Sequence, residues 1–110
     1  IYTRLVVGAS DVYKTQYEGF GIPILEAYTC NCPVALSQAS CFPEIAENAA
    51  AYFDPFSVSS MAEAIKSVIY DEAERTRLIL AGKERIKLYS WEKATRQTEL
   101  VYRKVAKAVF

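Results

Sequence analysis

Short apolar runs that alternate with helical segments are the feature that most constrains the fold of this chain. Pro33-Val34-Ala35-Leu36 and Ala50-Ala51-Tyr52-Phe53 are each long enough for a buried strand, and Asp54-Pro55 stops the second run. Proline is tolerated at the first position of a strand. Strands that alternate with helices predict a short parallel sheet flanked by helices, and therefore an α/β fold of Rossmann type.

Residues 17–27 predict a loop that becomes a helix. Gly19 and Gly21 permit positive φ and allow backbone N–H groups to approach a ligand. Pro23 suits the first turn of a helix, where its missing N–H is not needed. The N-terminus of a helix attracts anions, and phosphate is the usual anion at such a site.

Two carboxylates, Glu18 and Glu26, bracket this predicted anion site. A carboxylate repels phosphate but accepts hydrogen bonds from hydroxyl groups, so the pair suggests a ligand with both groups, such as a nucleotide sugar. The residues alone also allow a plain glycine turn with two solvated carboxylates, because short motifs of this kind are weakly specific.

Glu18 and Glu26 have seven residues between them, Gly-Phe-Gly-Ile-Pro-Ile-Leu. This spacing resembles the E-x7-E motif of retaining GT-B glycosyltransferases, most closely glycosyltransferase family 4. The resemblance continues, in the family's order, through Cys32-Pro33-Val34-Ala35, Pro43-Glu44-Ile45, Phe53-Asp54-Pro55 and Ser90-Trp91-Glu92-Lys93. It implies that residues 17–110 are the C-terminal part of a GT-B nucleotide-sugar-binding domain, which is a partial Rossmann-like domain.

The family implies transfer of a hexose from a nucleotide diphosphate sugar to an acceptor hydroxyl, with the anomeric configuration retained. Glu18 would be the catalytic contact to sugar hydroxyls near the reacting carbon, and Glu26 would accept from the ribose hydroxyls. The backbone N–H groups that would contact the sugar and diphosphate are those of Gly19, Phe20, Gly21 and Ile22. No metal and no cofactor other than this sugar donor is expected.

Parts that such an enzyme needs are not found in these residues. The N-terminal acceptor domain and the Arg/Lys pair that neutralises the departing diphosphate in the family are missing, so we expect a fragment that is inactive alone.

Residues 1–16 form an atypical N-terminal segment, in which Leu5-Val6-Val7 predicts a short strand. The family has an apolar strand ending in Pro-Ser before Tyr17, and Lys14-Thr15-Gln16 departs from that pattern.

Composition excludes several classes of function. The chain has 110 residues with a formal net charge of zero, which gives no electrostatic case for binding nucleic acid. It contains no histidine for acid–base catalysis, and its three cysteines do not have a zinc-ligand spacing. With no predicted transmembrane segment, we expect a cytoplasmic protein, with peripheral membrane association open for a full-length enzyme. A non-catalytic α/β module that binds a partner or another nucleotide remains the alternative.

Local signals predict the remaining helices. The first helix should run from Gly21 to about Cys30 and end at Asn31 in the left-handed conformation. A second, short helix is predicted at Pro43-Glu44-Ile45-Ala46-Glu47. Ser37 or Ser40 is expected to cap this second helix, and the alternative is that one of these serines contacts the ligand. Ser57 is a candidate N-cap and Ser60 with Glu63 a candidate capping box. The apolar face of that helix comprises Val58, Met61, Ala62, Ile65, Val68 and Ile69.

Two further helices complete the prediction. One begins at Asp71 and Glu74, buries Leu78, Ala81 and Gly82, and solvates Lys83, Glu84, Arg85 and Lys87. The last is a long amphipathic helix capped by Ser90. Its apolar stripe comprises Trp91, Ala94, Val101, Tyr102, Val105 and Val109.

Overall fold

The computed structural model describes residues 11–13 and 19–109. The predicted strand at residues 5–7 and the carboxylate of Glu18 lie outside the described residues. The elements in chain order are β1 (Asp11–Tyr13), α1 (Ile22–Thr29), β2 (Val34–Ser37), α2 (Phe42–Ala46), β3 (Ala50–Phe53), α3 (Val58–Tyr70), α4 (Glu72–Ile86) and α5 (Trp91–Val109). β1 is a strand that the sequence analysis did not identify, since its three residues form too short a run.

The strands form a parallel sheet in the order β1-β2-β3, which confirms the predicted α/β class. Asp11 pairs with Val34, and Val34 pairs with Ala50. The predicted bounds of β3 are confirmed. β2 begins one residue later than predicted, because Pro33 has no N–H to give to a neighbouring strand.

Successive residues of β2 enter different apolar clusters. Val34 and Leu36 belong to one cluster with Ile24 of α1 and Phe42 of α2. Ala35 belongs to the other cluster, together with residues of β3, α3 and α4. Both faces of the sheet are therefore buried, as a parallel sheet requires.

The C-terminus of α1 follows the predicted pattern. Asn31 has φ 55°, in the left-handed region. Its N–H donates to the carbonyl of Tyr28 at 3.1 Å, and the N–H of Cys32 donates to the carbonyl of Ala27 at 2.8 Å. This pair of bonds is a Schellman motif, which satisfies carbonyls at the helix end that would otherwise have no partner.

α1 and α4 approach closely at the ring of Tyr28. This side chain is 3% exposed, and its hydroxyl donates to the carbonyl of Ala49 at 3.0 Å. Burial raises the pKa of the Tyr28 hydroxyl well above its ordinary value. A Cβ atom at Gly82 would lie 2.6 Å from Cδ1 of Tyr28, so the predicted inward position of Gly82 is confirmed and only glycine fits there.

The start of α3 confirms one predicted cap and corrects another. Ser57 is the N-cap, and its hydroxyl accepts from the N–H of Ser60 at 3.2 Å. The capping box of Ser60 and Glu63 is wrong, because Ser60 lies inside the first turn and its hydroxyl accepts from the N–H of Asp54 at 3.0 Å. Val58 is also wrongly predicted as a core residue. It is 83% exposed, whereas Val68, which was predicted on the same face, is buried near the C-terminal end of the helix.

The start of α2 also differs from the prediction. Cys41 occupies its N-cap position, without a capping hydrogen bond from its side chain. Ser37 is instead the last residue of β2 and is fully buried. Neither Ser37 nor Ser40 is therefore the N-cap, while Pro43 and Glu44 lie in the first turn as predicted.

α4 contains one residue that the sequence analysis placed wrongly. Asp71 caps the helix by accepting from the N–H of Glu74 at 3.0 Å, as expected for a helix start. Arg85 is not on a solvated face, since only 12% of its side chain is exposed. Its guanidinium Nε donates to the carbonyl of Ile45 at 2.9 Å. A contact between residues so distant in the chain leaves no local signal.

The long helix α5 begins with the predicted cap and projects its apolar stripe into solvent. The hydroxyl of Ser90 accepts from the N–H of Lys93 at 3.1 Å. Every described residue of α5 is exposed, including Trp91 at 81% and Val109 at 68%. Among the described helices, none is long and apolar enough to cross a membrane.

We expect the end of α5, residues 105–109, to fray or to associate with another molecule. An isolated helix is marginally stable in water, and this segment packs no buried side chain. Hydrogen exchange measured by NMR on the monomer should therefore be fast at residues 105–109 and slow around Val68, which is 1% exposed. Slow exchange throughout residues 105–109 in a monomer would contradict this expectation.

We expect Gly21→Ala to lower the free energy of unfolding by about 1–2 kcal/mol, the cost of a left-handed conformation for a residue with a Cβ atom. Gly21 has φ 88°, and an added Cβ would lie 3.0 Å from Cδ1 of Ile24. Gly19→Ala is the matched control. It meets no atom within 4 Å and should change stability by less than about 0.5 kcal/mol. Equal effects in urea unfolding would show that the turn does not require glycine at position 21.

Candidate functional site

The predicted turn before α1 is formed mainly by one of its two glycines. Gly21 occupies the N-cap position with φ 88° and ψ 55°, and Pro23 lies in the first turn as predicted. The carbonyl of Gly21 accepts from the N–H of Ile24 at 3.0 Å. Gly19 is exposed. The chain therefore enters the helix through Gly21 in the left-handed conformation.

The N-terminus of α1 suits an anion. Its first turn contains no acidic residue, so no side chain of that turn offsets the partial positive charge of the helix end. Glu26 lies one turn further along and is exposed. A phosphate at the helix start and a hydroxyl near Glu26 would therefore each meet a suitable group.

A groove with a volume of about 720 Å³ runs beside this turn. One wall is the outer face of α1, and the other is the end of α4 and the start of α5. The residues that line the groove are Phe20, Ile22, Leu25, Glu26, Thr29, Ile86, Tyr89, Ser90, Trp91 and Ala94. The groove is mostly apolar with a few polar groups, and its volume is in the range of small-molecule sites.

The structure brings together three of the predicted site residues. Phe20, Ile22 and Glu26 line the same groove, and Phe20 and Ile22 are 37% and 49% exposed. Gly21 is buried beneath them against Ile24 and Phe42. The binding roles assigned to these residues and to Gly19 stay predictions, as does that of Glu18, which is outside the described residues.

Two contacts to Phe20 were not found by sequence reasoning. The thiol of Cys41 donates to the carbonyl of Phe20 at 3.3 Å. The ring of Tyr89 meets the ring of Phe20 edge to face, with 5.6 Å between centroids and 84° between planes. Tyr89 directly precedes the Ser90-Trp91-Glu92-Lys93 segment, so that segment was the available signal for this side of the groove.

The three cysteines are thiols without disulfide bonds. Cys30 is exposed, and Cys32 and Cys41 are half-buried. The expectation that the site needs no metal stays a prediction.

The family model "Glycosyl transferases group 1" matches residues 6–85 of this chain. This match covers the turn, the groove wall on α1 and the whole sheet.

Curated relatives include enzymes from three bacteria. The chain is 37% identical over 92 residues to the O-antigen chain mannosyltransferase B of Escherichia coli, a match that covers 84% of this chain and 24% of the relative. It is 30% identical over 114 residues to the alpha-maltose-1-phosphate synthase of Mycolicibacterium smegmatis, covering 94% of this chain and 30% of that enzyme. It is 29% identical to the MMP alpha-(1->4)-mannosyltransferase of Mycolicibacterium hassiacum, and this match covers 80% of this chain and 22% of that enzyme. The chain thus spans about a quarter of the length of these relatives.

The sucrose-phosphate synthase of Thermosynechococcus elongatus has a similar solved structure. The TM-score is 0.80 and the sequence identity 28%, over 92% of this chain and 26% of that one. The family match, the parallel sheet and this structural likeness agree with one another. The chain belongs to the group 1 glycosyltransferases, and its fold is that of the C-terminal part of a GT-B enzyme.

Proposed function

We propose that this chain is the part of a retaining glycosyltransferase that binds the sugar donor, a nucleotide diphosphate hexose. The observation that carries the proposal is the placement of Glu26 and Phe20 on one groove beside the N-terminus of α1, in a chain of the group 1 family. Two of the relatives are named mannosyltransferases, which makes a mannose donor the first to test.

The two ends of the groove offer different chemistry to such a donor. At the start of α1, backbone N–H groups and the helix dipole favour the diphosphate. Glu26, one turn later, is an exposed acceptor for the ribose hydroxyls. Glu18 precedes the turn in the chain, and we assign it to the sugar hydroxyls near the reacting carbon. A contact there strengthens as positive charge develops on the sugar in the transition state.

We expect the isolated chain to have no measurable transferase turnover. In the proposed enzyme the acceptor lies on an N-terminal domain and the diphosphate is neutralised by an upstream Arg/Lys pair, neither of which these 110 residues supply. Loss of oriented reactants and of charge stabilisation each removes orders of magnitude in rate. The purified chain should be assayed with GDP-mannose and UDP-glucose. Turnover at a rate typical of enzymes would show that neither the N-terminal acceptor domain nor the upstream Arg/Lys pair is required, and would overturn this expectation.

The roles of the two carboxylates can be separated in an assembled transferase, in which this chain replaces the matching segment of the E. coli mannosyltransferase. We expect Glu26→Gln to weaken donor binding by about 1–3 kcal/mol, because it removes the charge from a charge-assisted hydrogen bond. We expect Glu18→Gln to lower kcat more than it weakens donor binding, because its contact strengthens in the transition state.

Donor affinity and single-turnover rates of the assembled transferase would measure both effects. Glu63→Gln is the matched control, since Glu63 is an exposed carboxylate on α3, far along the chain from the groove. Swapped phenotypes would reverse the two roles. No effect of either variant on affinity or rate would reject the donor site and favour a non-catalytic module with a glycine turn.

A further inference from the structure

Phe20 is flanked by glycines, yet two groups from distant elements hold it. Gly19 and Gly21 restrict the backbone little, so the position of Phe20 depends on contacts from elsewhere. The thiol of Cys41 donates to its carbonyl at 3.3 Å. The ring of Tyr89 contacts its ring edge to face, at 5.6 Å between centroids, which is a preferred geometry for aromatic pairs.

Tyr89 is itself fixed by Arg85. The guanidinium Nη2 donates to the Tyr89 hydroxyl at 3.0 Å, and Cζ lies 5.6 Å from the centroid of the Tyr89 ring. The cation over the aromatic ring and the hydrogen bond to its hydroxyl together set the orientation of this side chain.

Arg85 is in turn anchored to the end of α2. Its Nε and Nη2 donate to the carbonyl of Ile45 at 2.9 and 2.8 Å, and Nη2 also donates to the carbonyl of Glu44 at 3.0 Å. Its Nη1 lies 3.3 Å from a carboxylate oxygen of Glu47. Because carbonyls at a helix end need partners, this half-buried cation has little freedom to move.

We propose that Tyr89, oriented by Arg85, is a positioning residue that fixes the backbone of residues 19–21 for binding the sugar donor. The expected effect on donor binding rests on the proposed function. The contacts that position residues 19–21 belong to this chain and can be tested without a donor. Tyr89 has no assigned contact with the sugar or the diphosphate. It acts through Phe20, and its loss should free the turn that presents the N–H groups.

The first test uses the 110-residue chain and measures the ¹H–¹⁵N heteronuclear NOE of the glycine amides. Tyr89→Leu should lower the NOE of Gly19 and Gly21 and leave that of Gly82, in the middle of α4, unchanged. Tyr89→Phe keeps the ring and its contact with the guanidinium but loses the hydrogen bond from Arg85, so its values should lie between those of Tyr89→Leu and of the unmodified chain. Tyr70→Leu, at an exposed tyrosine that ends α3, is the matched control.

A second variant covers the case in which Tyr89→Leu does not fold. Phe20→Leu removes the ring contact from the other side and should mobilise Gly19 and Gly21 to a similar extent. The double variant should be no more mobile than either single one, because both changes remove the same contact. Unchanged mobility of the two glycines in these variants would overturn the positioning role.

The second test uses the assembled transferase and compares KM for the sugar donor with kcat. Tyr89→Leu should raise KM about two- to tenfold, the range expected for one aromatic pair, and leave kcat nearly unchanged. Tyr89→Phe keeps the ring that contacts Phe20 and should bring KM back towards its unmodified value. A general loss of packing at this position would instead lower kcat as well.

The Glu26→Gln variant separates failure of this inference from failure of the proposed function. An unchanged KM in Tyr89→Leu, with weaker donor binding in Glu26→Gln, would overturn the role of Tyr89 and leave the donor site in place. An unchanged donor affinity in both variants, despite mobile glycines, would overturn the proposed function itself.

Discussion

The parallel pairing of β2 with β3 is the constraint on which the rest of the structure depends. With Val34 opposite Ala50, successive side chains of both strands alternate between two faces, and neither face can be left in water. α3 covers one face through Val68, and α1 and α2 cover the other through Ile24 and Phe42. The position of each helix therefore follows from an apolar surface that the sheet has to bury.

The candidate site is a consequence of how α1 covers the sheet. Burial of Ile24 and Tyr28 fixes the rotation of α1 about its axis. At 3.6 residues per turn, this rotation places Ile22 and Glu26, four positions apart, together on the outer face that lines the groove. The close approach of Gly21 to the same core then sets where the helix begins. Packing and binding geometry are thus determined by the same few contacts.

The predictions that succeeded and those that failed differ in the range of the interaction. Asn31 and Ser57 were assigned correctly, because each forms hydrogen bonds with residues a few positions away. Ser60 was assigned to a cap that it does not form, because its hydroxyl bonds to a residue six positions earlier, before the helix. Arg85 was assigned to solvent, because its partners in α2 lie 40 residues or more from it in the chain. Val58 failed for a simpler reason, since helical periodicity does not reveal where a helix leaves the core.

The sequence by itself determined the alternation of strands and helices, most of the helix ends and the resemblance carried by the Glu18 and Glu26 spacing. These depend on φ preferences, missing N–H groups and hydrogen bonds within one or two turns, all of which are local. Only the tertiary structure decided that β1 joins the sheet, that the ring of Phe20 contacts the ring of Tyr89, and that the apolar stripe of α5 is exposed. Each of these depends on which surfaces meet after the chain has folded, and contacts between distant residues leave no periodic signal in the sequence.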